Sequence, residues 1–212
     1  MKPLADCRLY GFVDAAYLRG RAPEMVAQQL CEGGADIIQL RAKGWPAEAI
    51  RRTAKRLLAI TRPAGVALVI NDHPDIARDV GAECCHLGQE DFFDAGHAHV
   101  NEVRGAASGL WVGLSTHAPS QARRAVAAGA DYVAIGPVFA TATKPTARPV
   151  TLDYVRWAAA HLSSPWFAIG GITLDTLDAV LAAGARRICV VSAILNAPDV
   201  VAACRQFRRA LS

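Results

Sequence analysis

Short runs of branched and aromatic residues alternate with longer Ala-rich amphipathic stretches along the whole chain. That is the pattern of successive strand-helix units feeding a parallel sheet. Strands are expected at Leu9–Val13, Ile37–Leu40, Ala67–Ile70, Cys84–Leu87, Trp111–Leu114, Tyr132–Ile135, Trp166–Ile169 and Ile188–Val191. Helices fill the intervals: one over Pro46–Ile60 opens on a proline, and another over Ser120–Ala128 has Pro119 before it, the residue type favoured at a helix start.

A second regularity supports the count. Gly34-Ala35-Asp36, Gly81-Ala82-Glu83, Gly129-Ala130-Asp131 and Gly184-Ala185-Arg186 each stand just before a strand, at a spacing of two strand-helix units. The glycine suits the left-handed position that ends a helix, so the repeat reads as architecture. No linker or low-complexity tract interrupts it, and residues 1–212 read as a single domain. Eight units close as a (β/α)8 TIM barrel or spread as an open doubly wound sheet. In a barrel every strand delivers its C-terminal loop to one mouth, whereas in an open sheet only the loops at the switch point converge. Polar or glycine residues follow nearly every strand, which favours the barrel, although turn composition alone produces part of that pattern.

Composition adds exclusions. With 52% hydrophobic and 20% charged residues in 212, the composition argues against disorder and coiled coil. The net charge of +4 is too mild to imply nucleic acid but helps draw in an anionic small molecule. It comes from nineteen arginines and only four lysines, Lys2, Lys43, Lys55 and Lys144. No apolar run approaches the roughly 18 to 20 residues of a membrane span, and Met1–Arg8 has no apolar signal region, so a cytoplasmic protein without a membrane partner is expected. The six cysteines show no C-x-x-C spacing and read as structural thiols, while His97 and His99 read as solvated.

Candidate chemistry lies at the strand ends. In Gln39-Leu40-Arg41-Ala42-Lys43, strand alternation turns Gln39, Arg41 and Lys43 to one side. Inside a barrel mouth, two cations and an amide are costly to bury without an anion, and a diphosphate suits; beyond the rim they are simply hydrated. Asn71-Asp72 and Asp91 end the next two strands. Each carboxylate taken alone reads as a helix cap, but the two together beside a cationic strand favour Mg²⁺ held with substrate phosphate oxygens. Gly170-Gly171 after the seventh strand and Val191-Ser192 after the eighth occupy the phosphate-binding position of barrels. Thr141-Ala142-Thr143-Lys144 forms a polar loop over the mouth, suited to neutralising a leaving group. The combined set suggests one diphosphate and one monophosphate.

In order along the chain, Gln39-Leu40-Arg41-Ala42-Lys43, Ile70-Asn71-Asp72, His86-Leu87-Gly88-Gln89-Glu90-Asp91, Gly113-Leu114-Ser115-Thr116-His117, Gly136-Pro137-Val138-Phe139, Thr141-Ala142-Thr143-Lys144, Ile169-Gly170-Gly171-Ile172 and Val191-Ser192-Ala193-Ile194 resemble the thiamine-phosphate synthase family, over about Leu9 to Ile194. The resemblance implies a (β/α)8 barrel and a Mg²⁺-dependent transferase. It would join 4-amino-2-methyl-5-hydroxymethylpyrimidine diphosphate to the carboxylate form of the thiazole monophosphate, giving thiamine phosphate and pyrophosphate, with the carboxylate lost as carbon dioxide. It implies that Gln39, Leu40, Arg41, Ala42, Lys43, Asn71 and Ser115 hold the pyrimidine diphosphate, and that Asp72 and Asp91 hold Mg²⁺. Thr141, Ala142, Thr143, Gly171, Val191 and Ser192 would take the thiazole phosphate and Lys144 the diphosphate side, with Arg41, Lys43, Ser115 and Lys144 as the catalytic set. The partners implied are small phosphates and diphosphates, with a homo-oligomer as a further expectation.

This sequence departs from the family pattern at His73, where Arg is usual, at Cys84-Cys85, where Gly-Val is usual, and between Pro145 and Asp153, where a glycine is missing. Two rival readings stand beside the synthase. One is a thiazole tautomerase of the same superfamily with His117 as acid or base; the other is a non-catalytic paralogue that binds thiamine phosphates. The presence of Asp72, Asp91 and Lys144 favours the synthase.

Overall fold

The structure is a computed structural model and describes residues 2–105, 109–141 and 148–211. Eight parallel strands close a barrel in sequence order: β1 Leu9–Asp14, β2 Ile37–Arg41, β3 Ala67–Asn71, β4 Cys84–Gly88, β5 Trp111–Thr116, β6 Tyr132–Ile135, β7 Trp166–Ile169 and β8 Ile188–Cys189. The helices among the described residues run between them and after them. They are α1 Pro23–Glu32, α2 Ala47–Thr61, α3 Pro74–Val80, α4 Gln89–Asp94, α5 Asn101–Arg104, α6 Pro119–Ala127, α7 Thr151–His161, α8 Leu174–Ala182, α9 Ser192–Leu195 and α10 Val200–Ala210. The (β/α)8 expectation therefore holds.

Strand boundaries differ where chemistry intervenes. β8 stops at Cys189, two residues earlier than hydrophobicity suggested: Val190 still donates its N–H to the Tyr10 carbonyl, but Val191 leaves the extended region to cap α9. Conversely, β1, β2, β3, β4 and β5 run past their apolar residues into polar or glycine positions, because the parallel ladder continues to the barrel mouth.

The Gly-Ala-acid repeat explains how the opposite end of the barrel is sealed. After α1, α3, α6 and α8 the chain turns through Gly34, Gly81, Gly129 and Gly184, all with positive φ, and the following alanine donates its N–H five residues back, as from Ala35 to Leu30 and Ala130 to Ala125. This is the left-handed helix termination that glycine permits. The acid that follows then accepts a strand N–H: Asp36 from Arg8 and Leu9, Glu83 from Leu68, Asp131 from Val112. Each acid also meets an arginine, namely Arg208, Arg62 and Arg104 respectively. Three of the four repeats thus stitch a helix exit to the foot of a neighbouring strand.

The barrel interior is filled by rings. Tyr10 stacks on Phe12 at 5.2 Å between centroids and meets Tyr132 and Phe167 edge-on at 6.2 and 5.5 Å. Room for them comes from small inward neighbours: a Cβ added at Gly113 would lie 2.0 Å from Cζ of Tyr132. The cysteines are free, all buried except the half-buried Cys31, and burial pushes the thiols of Cys7 and Cys31 up to about 11 and those of Cys85 and Cys204 up to about 12. That agrees with structural thiols. His97 corrects the solvated reading, because it is half-buried against Phe92 and reaches Glu102 at 3.2 Å; His99 is exposed. No helix among the described residues is long and apolar enough to cross a membrane.

Asp36 is the most heavily bonded of these feet, with Lys2 at 2.5 Å and Arg208 at 2.6 Å on a side chain only 2% exposed. Burial by itself raises its pKa, but Lys2, the two N–H groups and Arg208 outweigh it, and the carboxyl is held below its ordinary value. A depressed carboxylate stabilises the fold above its unfolded pKa of about 3.9, and that contribution disappears as pH falls through the folded value. Asp36→Asn, which breaks a buried pair worth about 3–5 kcal/mol when one partner is removed, should lower the melting temperature by roughly 10 °C at neutral pH. The deficit should shrink below pH 4, as calorimetry at the two pH values will show.

Candidate active site

The C-terminal ends of the strands open into a cavity of about 1070 Å³, counting the space open to solvent at its mouth. Gln39, Arg41, Lys43, Asn71, Asp72, Asp91, Ser115, Thr141, Gly171, Val191 and Ser192 all line it. Eleven of the proposed positions thus converge on one space from seven strands and their loops. Leu40 and Ala42 do not line it: alternation turns Leu40 outward to the helices, and both side chains are buried, at 2% and 6% exposure. Any contact they make with a ligand there is through backbone. Ala142, Thr143 and Lys144 lie outside the described residues, as do the first three residues, 145–147, of the stretch that lacks the usual glycine.

The cationic strand is resolved by a residue that sequence reasoning passed over. Arg41 is inside the mouth, its side chain 14% exposed, and its Nη1 donates to Oδ2 of Asp14 at 2.9 Å. Asp14 is itself buried, and its other oxygen accepts the N–H of Ala16 at 3.0 Å. The anion that makes Arg41 tolerable in the mouth is therefore partly supplied by the chain. Lys43 remains more open, 58% exposed, with its ammonium 3.8 Å from the Asp72 carboxylate. The inward period of β1, Tyr10, Phe12, Asp14, was the available signal for Asp14.

The two carboxylates are not caps. α3 begins after His73 with no side-chain cap, and α4 begins after Gly88 with none, leaving Asp72 outside one helix and Asp91 within the first turn of the other. Asp72 is fixed instead by an unusual backbone: its φ is +64° and its N–H donates to the His86 carbonyl of β4 at 2.9 Å. Asp91 folds back over Gly88, where an added Cβ would lie 2.5 Å from its Oδ2. No group of three or more His, Cys, Asp or Glu side chains able to hold a metal occurs among the described residues. Two hard oxygen donors beside an open cavity fit Mg²⁺, which keeps several waters and takes further oxygens from a phosphate.

The part of the mouth that holds Gly171 is built by two loops packed on each other. Phe139 donates its N–H to the Gly170 carbonyl, Val138 to Ile169, and Val150 to Pro137, which pins the loop after β6 at both ends. Gly171, with φ +65°, passes beneath that loop: a Cβ there would lie 2.6 Å from the Ala140 carbonyl oxygen and 2.7 Å from Cβ of Phe139. Its first requirement is therefore the close packing of two backbones, not approach of a ligand.

The floor of the cavity was also missed. Tyr10, Phe12, His86 and Cys189 line it, and Gln39, Tyr10, Tyr132 and His86 are joined by hydrogen bonds of 2.6, 3.1 and 3.1 Å. His117 lines the cavity as well, with Nδ1 2.5 Å from the Gly136 carbonyl oxygen, which fixes the proton on that nitrogen.

Comparison with known proteins follows the same lines. The family described as thiamine monophosphate synthase matches residues 9–194. The chain is 49% identical over 180 residues to a thiamine-phosphate synthase of Thermus thermophilus, covering 84% of each chain. It is 41% identical over 210 residues to one of Chloroflexus aurantiacus, covering 99% of this chain and 94% of that one. A solved structure of thiamine phosphate pyrophosphorylase from Pyrococcus furiosus superposes with a TM-score of 0.86 at 30% identity, covering 98% and 96% of the two chains.

Gly171→Ala tests the packing of these two loops. A non-glycine residue at positive φ costs about 1–2 kcal/mol, and here the contact with Ala140 and Phe139 adds to it. Gly20, with φ +80° and nothing within 4 Å of an added Cβ, is the control. Gly171→Ala should lower the melting temperature clearly more than Gly20→Ala; equal losses would show that the two loops do not depend on this approach.

Proposed function

We propose that this chain, which belongs to the thiamine monophosphate synthase family and makes thiamine phosphate, does so by joining a pyrimidine-methyl diphosphate to a thiazole monophosphate at the barrel mouth. The observation that carries the reading is the convergence of Arg41, Lys43, Asp72 and Asp91, and of Thr141, Gly171 and Ser192, on one cavity. The first group suits a diphosphate with a divalent cation, the second a monophosphate.

Departure of pyrophosphate leaves a cationic pyrimidine methylene, stabilised by the ring's amino group, and the thiazole nitrogen attacks it with a lone pair that is already free. No general base is needed. The protein's contribution is alignment of two rings and neutralisation of the departing charge. Arg41, steadied by Asp14, presents its guanidinium inside the mouth, and Lys43 adds a mobile point charge at the rim. Lys144 is assigned to the same diphosphate, Ser115 and Asn71 to the pyrimidine side, and Thr143 with Thr141 to the thiazole phosphate. Asp72 and Asp91 would hold Mg²⁺, which when bound supplies charge for the leaving group.

The tautomerase alternative has only His117 in the cavity, its Nδ1 committed to the Gly136 carbonyl, and it leaves without a use the two carboxylates that face the same space. Purified protein with both substrates and Mg²⁺ should release pyrophosphate, and chelation should abolish that release. Asp91→Asn and Lys144→Ala should each lower kcat by roughly 10²–10³-fold with smaller changes in KM. Isomerisation of the thiazole without Mg²⁺ and without pyrophosphate would instead establish the tautomerase.

A further inference from the structure

In the closed sheet β1 lies between β2 and β8, so the loop that follows β1 runs along the rim between the strand that carries Arg41 and the turn that carries Ser192. The loop is tied at both ends. At its start, Oδ2 of Asp14 accepts from the Arg41 guanidinium at 2.9 Å, while Oδ1 accepts the Ala16 N–H at 3.0 Å and opens a single 3₁₀ turn, Ala15–Tyr17. At its end stands Arg21, a residue the reaction has not yet used. Its Nε donates to the Leu18 carbonyl at 3.0 Å, and its Nη2 donates to the Tyr17 carbonyl at 2.7 Å and to the Leu195 carbonyl at 2.8 Å.

Leu195 closes α9, whose first residue is Ser192. Within that one turn the Leu195 N–H donates to the Val191 carbonyl and the Asn196 N–H to the Ser192 carbonyl, each at 2.9 Å, and Val191 and Ser192 line the cavity. Arg21 is thus a single helical turn from the mouth. Its aim is prepared locally: Arg19 and Gly20 both have positive φ, +50° and +80°, and the Arg21 N–H closes the reversal on the Leu18 carbonyl at 2.9 Å. Ile194 and Leu195 are 0% and 2% exposed, which holds α9 against the barrel, but apolar burial is non-directional. The three bonds of the planar Arg21 fork add direction. A helix end leaves carbonyls without partners, and an arginine that only caps them serves stability alone. Here the loop on one side of Arg21 is fixed to Arg41 and the turn on the other carries Ser192.

We propose that Arg21 is a positioning residue: with Asp14 it makes the loop after β1 a strut that fixes the Val191-Ser192 turn relative to Arg41. Resting on the reading above, in which Arg41 meets the diphosphate and Val191-Ser192 the monophosphate, the strut sets the separation of the two substrates. That separation matters because attack requires the reacting atoms to be held at about 3–3.5 Å.

Amide exchange followed by NMR in the free protein reads the strut without substrates. In Arg21→Leu the N–H groups of Leu195 and Asn196 should exchange about tenfold faster. Arg21→Lys, which keeps a cation able to donate to the same carbonyls, should lie between Arg21→Leu and wild type, and it serves alone if Arg21→Leu folds poorly. Steady-state kinetics separates positioning from stability. Arg21→Leu should raise KM for the thiazole monophosphate about fivefold or more and leave KM for the pyrimidine diphosphate unchanged, with part of the loss recovered in Arg21→Lys. Exchange at Leu195 and Asn196 indifferent to the substitution overturns the proposal, as does a lower melting temperature with both KM values unchanged or both raised alike. The exchange arm needs no turnover, so a failure of the synthase assay is distinguishable from a failure of the strut.

Discussion

The structure depends on closure of a parallel barrel whose two ends are treated in opposite ways. At one end the strand feet are tied by carboxylates that accept strand N–H groups and meet arginines, as at Asp36, Glu83 and Asp131. At the other end the strands run out into polar and glycine positions that face a cavity. Period-two alternation in a closed sheet does the rest, because each strand sends every second residue into one shared interior. Large rings fill its middle, so the polar residues gather at the mouth. A stable foot lets the mouth carry charge that contributes little to the fold.

Much of this was legible in order along the chain. The strand centres, the (β/α)8 closure and the convergence of Gln39, Arg41, Lys43, Asn71, Asp72 and Asp91 follow from hydrophobic period and from where polar residues interrupt it. Two things were not legible. Contacts between strands distant in sequence, such as Asp14 with Arg41 or Tyr10 with Tyr132, depend on register, which no single strand specifies. The reason for a glycine also needs its neighbour: Gly171 reads as a phosphate-loop glycine, yet it is the Ala140 carbonyl that excludes a side chain there. Taken singly, Asp72 and Asp91 also read as caps from sequence, a reading that fails because the helices begin elsewhere.

The site divides its labour by exposure. Arg41 is half-buried and closely paired, while Lys43 is open and loosely paired. The scarcity of lysine in this chain gives that contrast meaning. Nineteen arginines mostly serve surfaces and strand feet, whereas two of the four lysines, Lys43 and Lys144, fall where the diphosphate is assigned. Net charge said little about this; the placement of the rarer cation said more.

The central claim is that the mouth forms a joint site for a diphosphate and a divalent cation. Calorimetric titration of inorganic pyrophosphate into the protein, with and without Mg²⁺ at constant ionic strength, tests it without requiring turnover. The account predicts binding that strengthens at least about tenfold with Mg²⁺, as expected when a metal bridges carboxylates and phosphate oxygens, and that loses this gain in Asp91→Asn. Equal affinity with and without Mg²⁺ in the wild-type protein would contradict it.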